Sequence, residues 1–311
     1  MNFSTKISIP KSKYSIDYES KIVSLGSCFA ENMGEKFEYF KFQNTVNPFG
    51  IIFNPVSIEK LVSRIINQQE FTENDVFFHN ERWHCFEVHS DLSHENKSAF
   101  LNQLNQTIEQ SNHRIIESTH IIITYGTSWI YQLKTTNEVV ANCHKVPQSN
   151  FEKVILSVAT IEKSIQNTID SIRKVNPNCN IIFTVSPVRH LKDGFIENQQ
   201  SKAHLITAIH QVTADYFPSF EIMMDELRDY RFYANDMMHP SQMAIDYIWE
   251  RFFETSISED SYPIMETVCS IQKGLTHRPF HPNSKSHQKF LEDIHRKIHD
   301  IQQQFPHIQF S

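Results

Sequence analysis

The stretch Lys21 to Ala30, KIVSLGSCFA, constrains the fold more than any other. Ile22, Val23 and Leu25 form a short apolar run closed by Gly26, the pattern of a buried strand that ends in a sharp turn. After Ser27 and Cys28 the chain turns amphipathic, with Phe29, Met33, Phe37 and Phe40 at helical spacing. Strand, glycine, nucleophile-type residue and helix make a recurring catalytic unit. The glycine permits the tight turn, and the helix start offers free N–H groups and the positive end of a dipole. A Ser27 hydroxyl held there lies beside donors suited to an oxyanion. The same residue would serve equally as a plain N-cap. Cys28 is a rival nucleophile, because a helix N-terminus lowers a cysteine pKa.

A second stretch, Asn235 to Ser241 (NDMMHPS), sets a carboxylate three residues before a histidine and just ahead of another helical run. On a tight turn Asp236 reaches one ring nitrogen of His239 and fixes its tautomer, leaving the other to take a proton from a serine. The alternative role of Asp236 is to cap the helix that begins near Ser241.

GSCFA at 26–30 is the string that names the GSCFA family, which resembles a branch of the SGNH/GDSL hydrolases. The resemblance runs over roughly residues 21–255, through NPFG at 47–50, YGTSW at 125–129, NCHK at 142–145, SPVRH at 186–190 and NDMMHPS. It implies Ser27 as nucleophile, His239 as base and Asp236 as its orienter. It further implies that the N–H groups of Ser27 and Gly50 bind the oxyanion, with Asn47 a possible side-chain donor or a simple turn cap. The wider group carries G-x-N-D in its third block, where Ser128 stands here, so a hydroxyl or another group such as Asn47 must replace that donor. His144 and His190 are expected either to bind substrate or to be satisfied in the interior. Arg189 is expected either to hold an anionic group of the substrate or to sit in a surface ion pair.

Apolar runs at His120–Thr124 and Asn180–Val185 read as further buried strands, and Phe42–Val46 as another. Pro55–Asn67, Phe100–Ile116, Phe151–Val175, Gln199–Phe217 and Ser241–Phe253 read as helices, and Glu221–Met224 as a last short strand. Strands alternating with helices argue for an α/β, three-layer α/β/α sandwich with a mostly parallel sheet, flavodoxin-like under the resemblance. The pair Val76–His79 and Arg82–Val88 reads as one hairpin insertion and residues 130–143 as a second. Residues 1–20 are polar and should wrap the surface. The expected organisation is a catalytic domain over 1–255 and a helical C-terminal extension over 256–311 packed on it. Ligands of such sheets bind outside the carboxyl ends of the strands, where Ser27, the YGTSW run and the SPVRH run all fall.

Composition narrows the partners. A net charge of −7 with no Lys/Arg-rich run argues against nucleic acid. No window reaches the ~18 apolar residues of a membrane span, and no signal-peptide pattern opens the sequence. Five cysteines without paired spacing suggest a reducing compartment, hence the cytoplasm. The 17 histidines are scattered and show no zinc-type spacing, so most are expected at the surface and neither metal nor organic cofactor is expected. Trp83, Phe86, Trp129, Tyr131 and Phe49 near the motifs suit stacking on sugar rings, although the 24 phenylalanines must mostly be core. The expected reaction is therefore ester hydrolysis or acyl transfer on an O-acyl, acetyl-type group of a carbohydrate. The alternatives are a catalytically silent glycan-binding domain and a thiol enzyme using Cys28.

Overall fold

A computed structural model of the chain describes residues 5–310. In chain order, β1 is Lys21–Gly26, α1 Cys28–Tyr39, β2 Gln43–Val46 and α2 Pro55–Ile66. There follow β3 (Phe77–His79), β4 (Arg82–His84), α3 (Lys97–Glu117) and β5 (His120–Tyr125). Next are β6 (Trp129–Leu133), β7 (Val139–Val140), β8 (Phe151–Ile155), α4 (Val158–Val175) and β9 (Asn180–Val185). The last elements are α5 (Phe195–Ile209), β10 (Asp215–Phe217), the short α6 (Ser219–Glu221), α7 (Gln242–Ser256), α8 (Tyr262–Leu275) and α9 (Lys285–Gln304).

Five strands form the central sheet in the order β2-β1-β5-β9-β10, and every neighbouring pair is parallel. Counted along the chain, this is the 2-1-3-4-5 order of flavodoxin-like sheets, so the strand order reverses between β1 and β5. The fold is α/β, as the alternation of elements implied. Successive residues of the strands feed opposite faces. Val23, Ile121, Ile123, Ile181 and Phe183 join one buried cluster, which α2 to α5 cover. Ile22, Ile122 and Ile182 join another, built with Phe29, Met33 and Phe37 of α1 and Ile248, Trp249 and Phe252 of α7. Each such side chain contributes roughly 1.5–3 kcal/mol by leaving water. Helices α8 and α9 add Met265, Val268, Ile271, Ile294 and Ile301 to the second cluster, so the chain beyond α7 completes a core face.

Several local expectations are corrected. The helix expected from Phe151 begins only at Val158, capped by the Ser157 hydroxyl on the Thr160 N–H. Residues 151–155 form β8, antiparallel to β6, which enlarges the second insertion to the three-stranded sheet β7-β6-β8. The helix expected to reach Phe217 stops at Ile209, and Asp215–Phe217 pair with β9 instead. Pro218 explains part of this, since the residue before a proline is pushed towards extended backbone. Residues 221–224, expected as a strand, are helical. Of the N-terminal stretch expected at the surface, residues 1–4 lie outside the described residues, while Ile16 and Tyr18 are fully buried in the second cluster. Most histidines lie at or near the surface, as expected, while His84, His120 and His144 are buried.

Candidate active site

At the end of β1, Gly26 has φ +138°, and a Cβ there would come 2.1 Å from Thr124 O of the neighbouring β5. Glycine is therefore required by both backbone conformation and space. Asn47, on the loop after β2, accepts the Gly26 N–H on its Oδ1 at 2.8 Å, and Ile52 N–H donates to Gly26 O at 3.1 Å. The turn is thus braced from both sides, and Ser27 follows it as the N-cap of α1, its Oγ accepting the Phe29 N–H at 3.2 Å. Ser27 is 2% exposed.

The second half sits ahead of α7. Asp236 Oδ1 accepts the N–H groups of Met238 (2.9 Å) and His239 (3.0 Å), and Oδ2 lies 2.6 Å from His239 Nδ1. Those two backbone donors, with the imidazole, hold the Asp236 carboxyl well below its ordinary range, at about 2. The tight turn needs a left-handed residue at Met237, whose φ is +58°. Among the described residues His239 Nε2 has no partner, and the side chain is 45% exposed. The expected Asp236–His239 contact is present. Among the described residues, however, no hydrogen bond joins Ser27 Oγ to His239.

Both halves lie at the carboxyl edge of the sheet. Arg189, four residues beyond β9, donates its N–H to Met238 O at 3.0 Å and its guanidinium to Met237 O at 3.1 Å. The guanidinium also lies over the rings of Phe195 and Tyr233. Arg189 therefore helps to fix the Asp–His turn, and among the described residues it makes no ion pair. Helices α1 and α7 pack side by side through the Lys36–Asp246 ion pair and a Phe40–Trp249 stack.

The other expected binding residues divide. Gly126, at the end of β5, donates to Phe53 O, and His190 Nε2 lies 3.1 Å from where its Cβ would be. This brings the segments following β2, β5 and β9 together. His190 Nε2 is buried with no hydrogen-bond partner among the described residues, and burial with nearby positive charge pulls its pKa down to about 3, so the ring is neutral. Ser128 is fully buried, its Oγ also without a partner. The two backbone donors expected at the oxyanion are committed elsewhere. Ser27 N–H donates to Thr124 O (3.1 Å) and Gly50 N–H to Asn47 O (2.8 Å). Asn47 accepts the Gly26 N–H on its side-chain oxygen and directs its amide at Glu31 (3.4 Å), so it braces the turn. His144 is buried in the insertion beside His84 and Phe77, its Nε2 against Cys85 O, and contacts neither half of the site. Cys28 also departs from expectation. Burial and the Glu31 carboxylate push its thiol up, outweighing nearby backbone N–H groups and Lys202. Phe49, a candidate stacking platform, is core, and Phe86 packs on Phe77.

Sequence reasoning passed over Lys202. It is 1% exposed, and its Nζ donates to Gly126 O (2.6 Å) and Ser186 O (2.7 Å). A lysine in an amphipathic helix ordinarily reads as solvent-facing, so no sequence signal marks it. Among the described residues no three His, Cys, Asp or Glu side chains gather as a metal centre needs. Cavities of about 690 and 1260 Å³ lie along β2 and between α1, α7, α8 and α9, and neither Ser27 nor His239 lines them.

Fold and site together define a flavodoxin-like α/β protein with an Asp–His pair and an N-capping serine at one sheet edge. The sequence profile of the GSCFA family matches residues 21–252, and that of the GSCFA domain protein, C-terminal domain, matches residues 268–311. The chain therefore belongs to the GSCFA family. No curated protein matches it. No helix among the described residues is long and apolar enough to cross a membrane.

Proposed function

We propose that the protein is an SGNH-like serine esterase or O-acyltransferase. The carrying observation is the Asp236–His239 pair, joined at 2.6 Å with Nε2 uncommitted, on a turn that Arg189 binds to the sheet edge where Ser27 starts α1. In this reading Ser27 Oγ attacks the acyl carbonyl while His239 Nε2 takes its proton. Asp236 holds the ring and stabilises the imidazolium. The alcohol then leaves with that proton, and water or a sugar hydroxyl resolves the acyl-enzyme. The developing oxyanion needs donors, and His190 Nε2 and Ser128 Oγ, buried without partners among the described residues on the loops after β9 and β5, are the candidates. The remaining Ser27–His239 gap closes in the substrate complex, since catalytic hydrogen bonds often tighten only there.

The substrate class is an O-acyl, acetyl-type ester of a carbohydrate. Trp129, which closes the YGTSW run with Lys153 over its ring, and Tyr131 after it are half-buried on β6 and support it as aromatic surface beside the motif. Five free cysteines suit a cytoplasmic setting. Mapping a serine-directed fluorophosphonate adduct tests the chemistry: adduct at Ser27 is expected, and capture only at Cys28 would sink the assignment. Faster release from an acetylated oligosaccharide than from a long-chain ester tests the substrate.

One observation favours a second reading. Ser27 is closed to solvent and unbonded to His239, which suits a catalytically silent domain that binds glycan. An unreactive Ser27 together with measurable glycan binding would select it.

A further inference from the structure

Helix α5 turns three buried polar residues to the sheet edge: Asn198, Ser201 and Lys202, at 2%, 1% and 1% exposure. Their i, i+3, i+4 spacing puts them on one face. Asn198 Oδ1 accepts the His190 N–H at 2.8 Å. Ser201 Oγ accepts the Ser128 N–H at 2.7 Å and lies 2.9 Å from Thr127 Oγ1. Lys202 reaches further and joins the two loops to each other, because Gly126 follows β5 and Ser186 follows β9. One helix face therefore holds the backbone of both motif runs.

The lysine is an expensive way to fill that position. An apolar side chain of similar volume would avoid burying a charge, and among the described residues no carboxylate lies within salt-bridge distance of the ammonium. Its charged and titratable neighbours are Cys28 of α1, Glu221 of α6 and His190 of the loop after β9. The Phe220 ring, 5.3 Å away, shields another side. Burial draws the lysine's pKa down to about 7, against the opposing pull of Cys28 and Glu221. Its positive charge in turn helps keep the His190 imidazole unprotonated.

We propose that Lys202 is a positioning residue of the candidate active site. It locks the 126–128 and 186–190 loops together so that His190 is held beside the Asp–His turn as a neutral N–H donor. The inference rests on the serine-enzyme reading for its catalytic consequence, but its structural content stands apart from that reading.

The test uses the full chain, as wild type and as Lys202→Met and Lys202→Gln. Two readouts are followed, the ring ¹⁵N signals of His190 and the rate of fluorophosphonate capture at Ser27. The wild type should show His190 in one neutral tautomer. In Lys202→Met the ring should average over both tautomers and take up a proton at higher pH than in the wild type. Capture at Ser27 should fall about 10²-fold and recover part way in Lys202→Gln, whose amide still donates. A purely space-filling lysine would give unchanged His190 signals in the folded variants, and that result overturns the proposal. If Ser27 is inert even in the wild type, the enzyme reading fails, while the His190 signals still decide the role of Lys202. Should neither variant fold, the wild type is titrated through the deprotonation of Lys202 near pH 7: a His190 ring that loosens from one tautomer to an average as the ammonium is lost supports the proposal, and a tautomer indifferent to it overturns the proposal.

Discussion

The two halves of the candidate site are built in opposite ways. The Gly26–Ser27 turn is buried, braced by Asn47 and Ile52, and its backbone donors are committed. The Asp236–His239 turn is exposed, with side chains 39% and 45% accessible, and it carries a left-handed Met237. Rigid placement suits a nucleophile, whose attack angle must be held. An exposed base on a strained turn has room to travel the remaining distance to it. The contrast locates the adjustable part of the site at the histidine, with Arg189 as its tether to β9.

The contrast is most severely tested by deleting chemistry on each side. Ser27→Ala and His239→Ala should each lower turnover of an activated acetyl ester on the order of 10⁶-fold, because members of such a unit are not additive. Retained rates in Ser27→Ala would place the nucleophile elsewhere. Asp236→Asn should cost roughly 10⁴-fold, since the imidazole loses its orienting acceptor while Ser27 stays in place. Gly26→Ala should destabilise the fold by more than about 3 kcal/mol, as measured by denaturant unfolding, because it combines a forbidden backbone with a clash into β5. No comparable loss is expected anywhere in the exposed turn.

Acid separates the halves more gently. Folding lowers the Asp236 pKa from 3.8 to about 2, so the folded protein binds fewer protons than the unfolded chain between those values. The contribution of the pair is complete above the unfolded value and fades as pH falls through about 2. Unfolding curves should therefore show an acid-dependent loss that Asp236→Asn removes. The smallest effect is expected of Met237→Asn, which relieves a left-handed methionine and should stabilise by about 0.5 kcal/mol. A fall in stability there would mean that the methionine side chain packs productively.

Much of the fold was legible because the central strands are apolar on both faces: HIIIT and NIIFTV have few other fates. β8 was not, since FEKVI fits a helix as readily as a strand until Ser157 is recognised as the cap. In the site, the Asp236–His239 contact was legible because three residues on a tight turn leave little freedom. The Gly50 N–H and the Asn47 side-chain oxygen are spent on the turns themselves, and a sequence shows which polar groups exist, not which the fold consumes. Lys202 was missed because helical polar spacing ordinarily means solvent, and only the packed loops reveal that this face points inward.

Tyr18, just ahead of β1, lies 5.2 Å from Phe305, just past α9. During synthesis, then, part of the apolar surface of α1 and α7 waits uncovered until α9 has left the ribosome. The sheet and its first face can form early, but the second face closes late, once α8 and α9 are available. A nascent chain stalled after Thr255 would display an unfinished sticky face, a natural target for chaperones and for mispairing between neighbouring ribosomes.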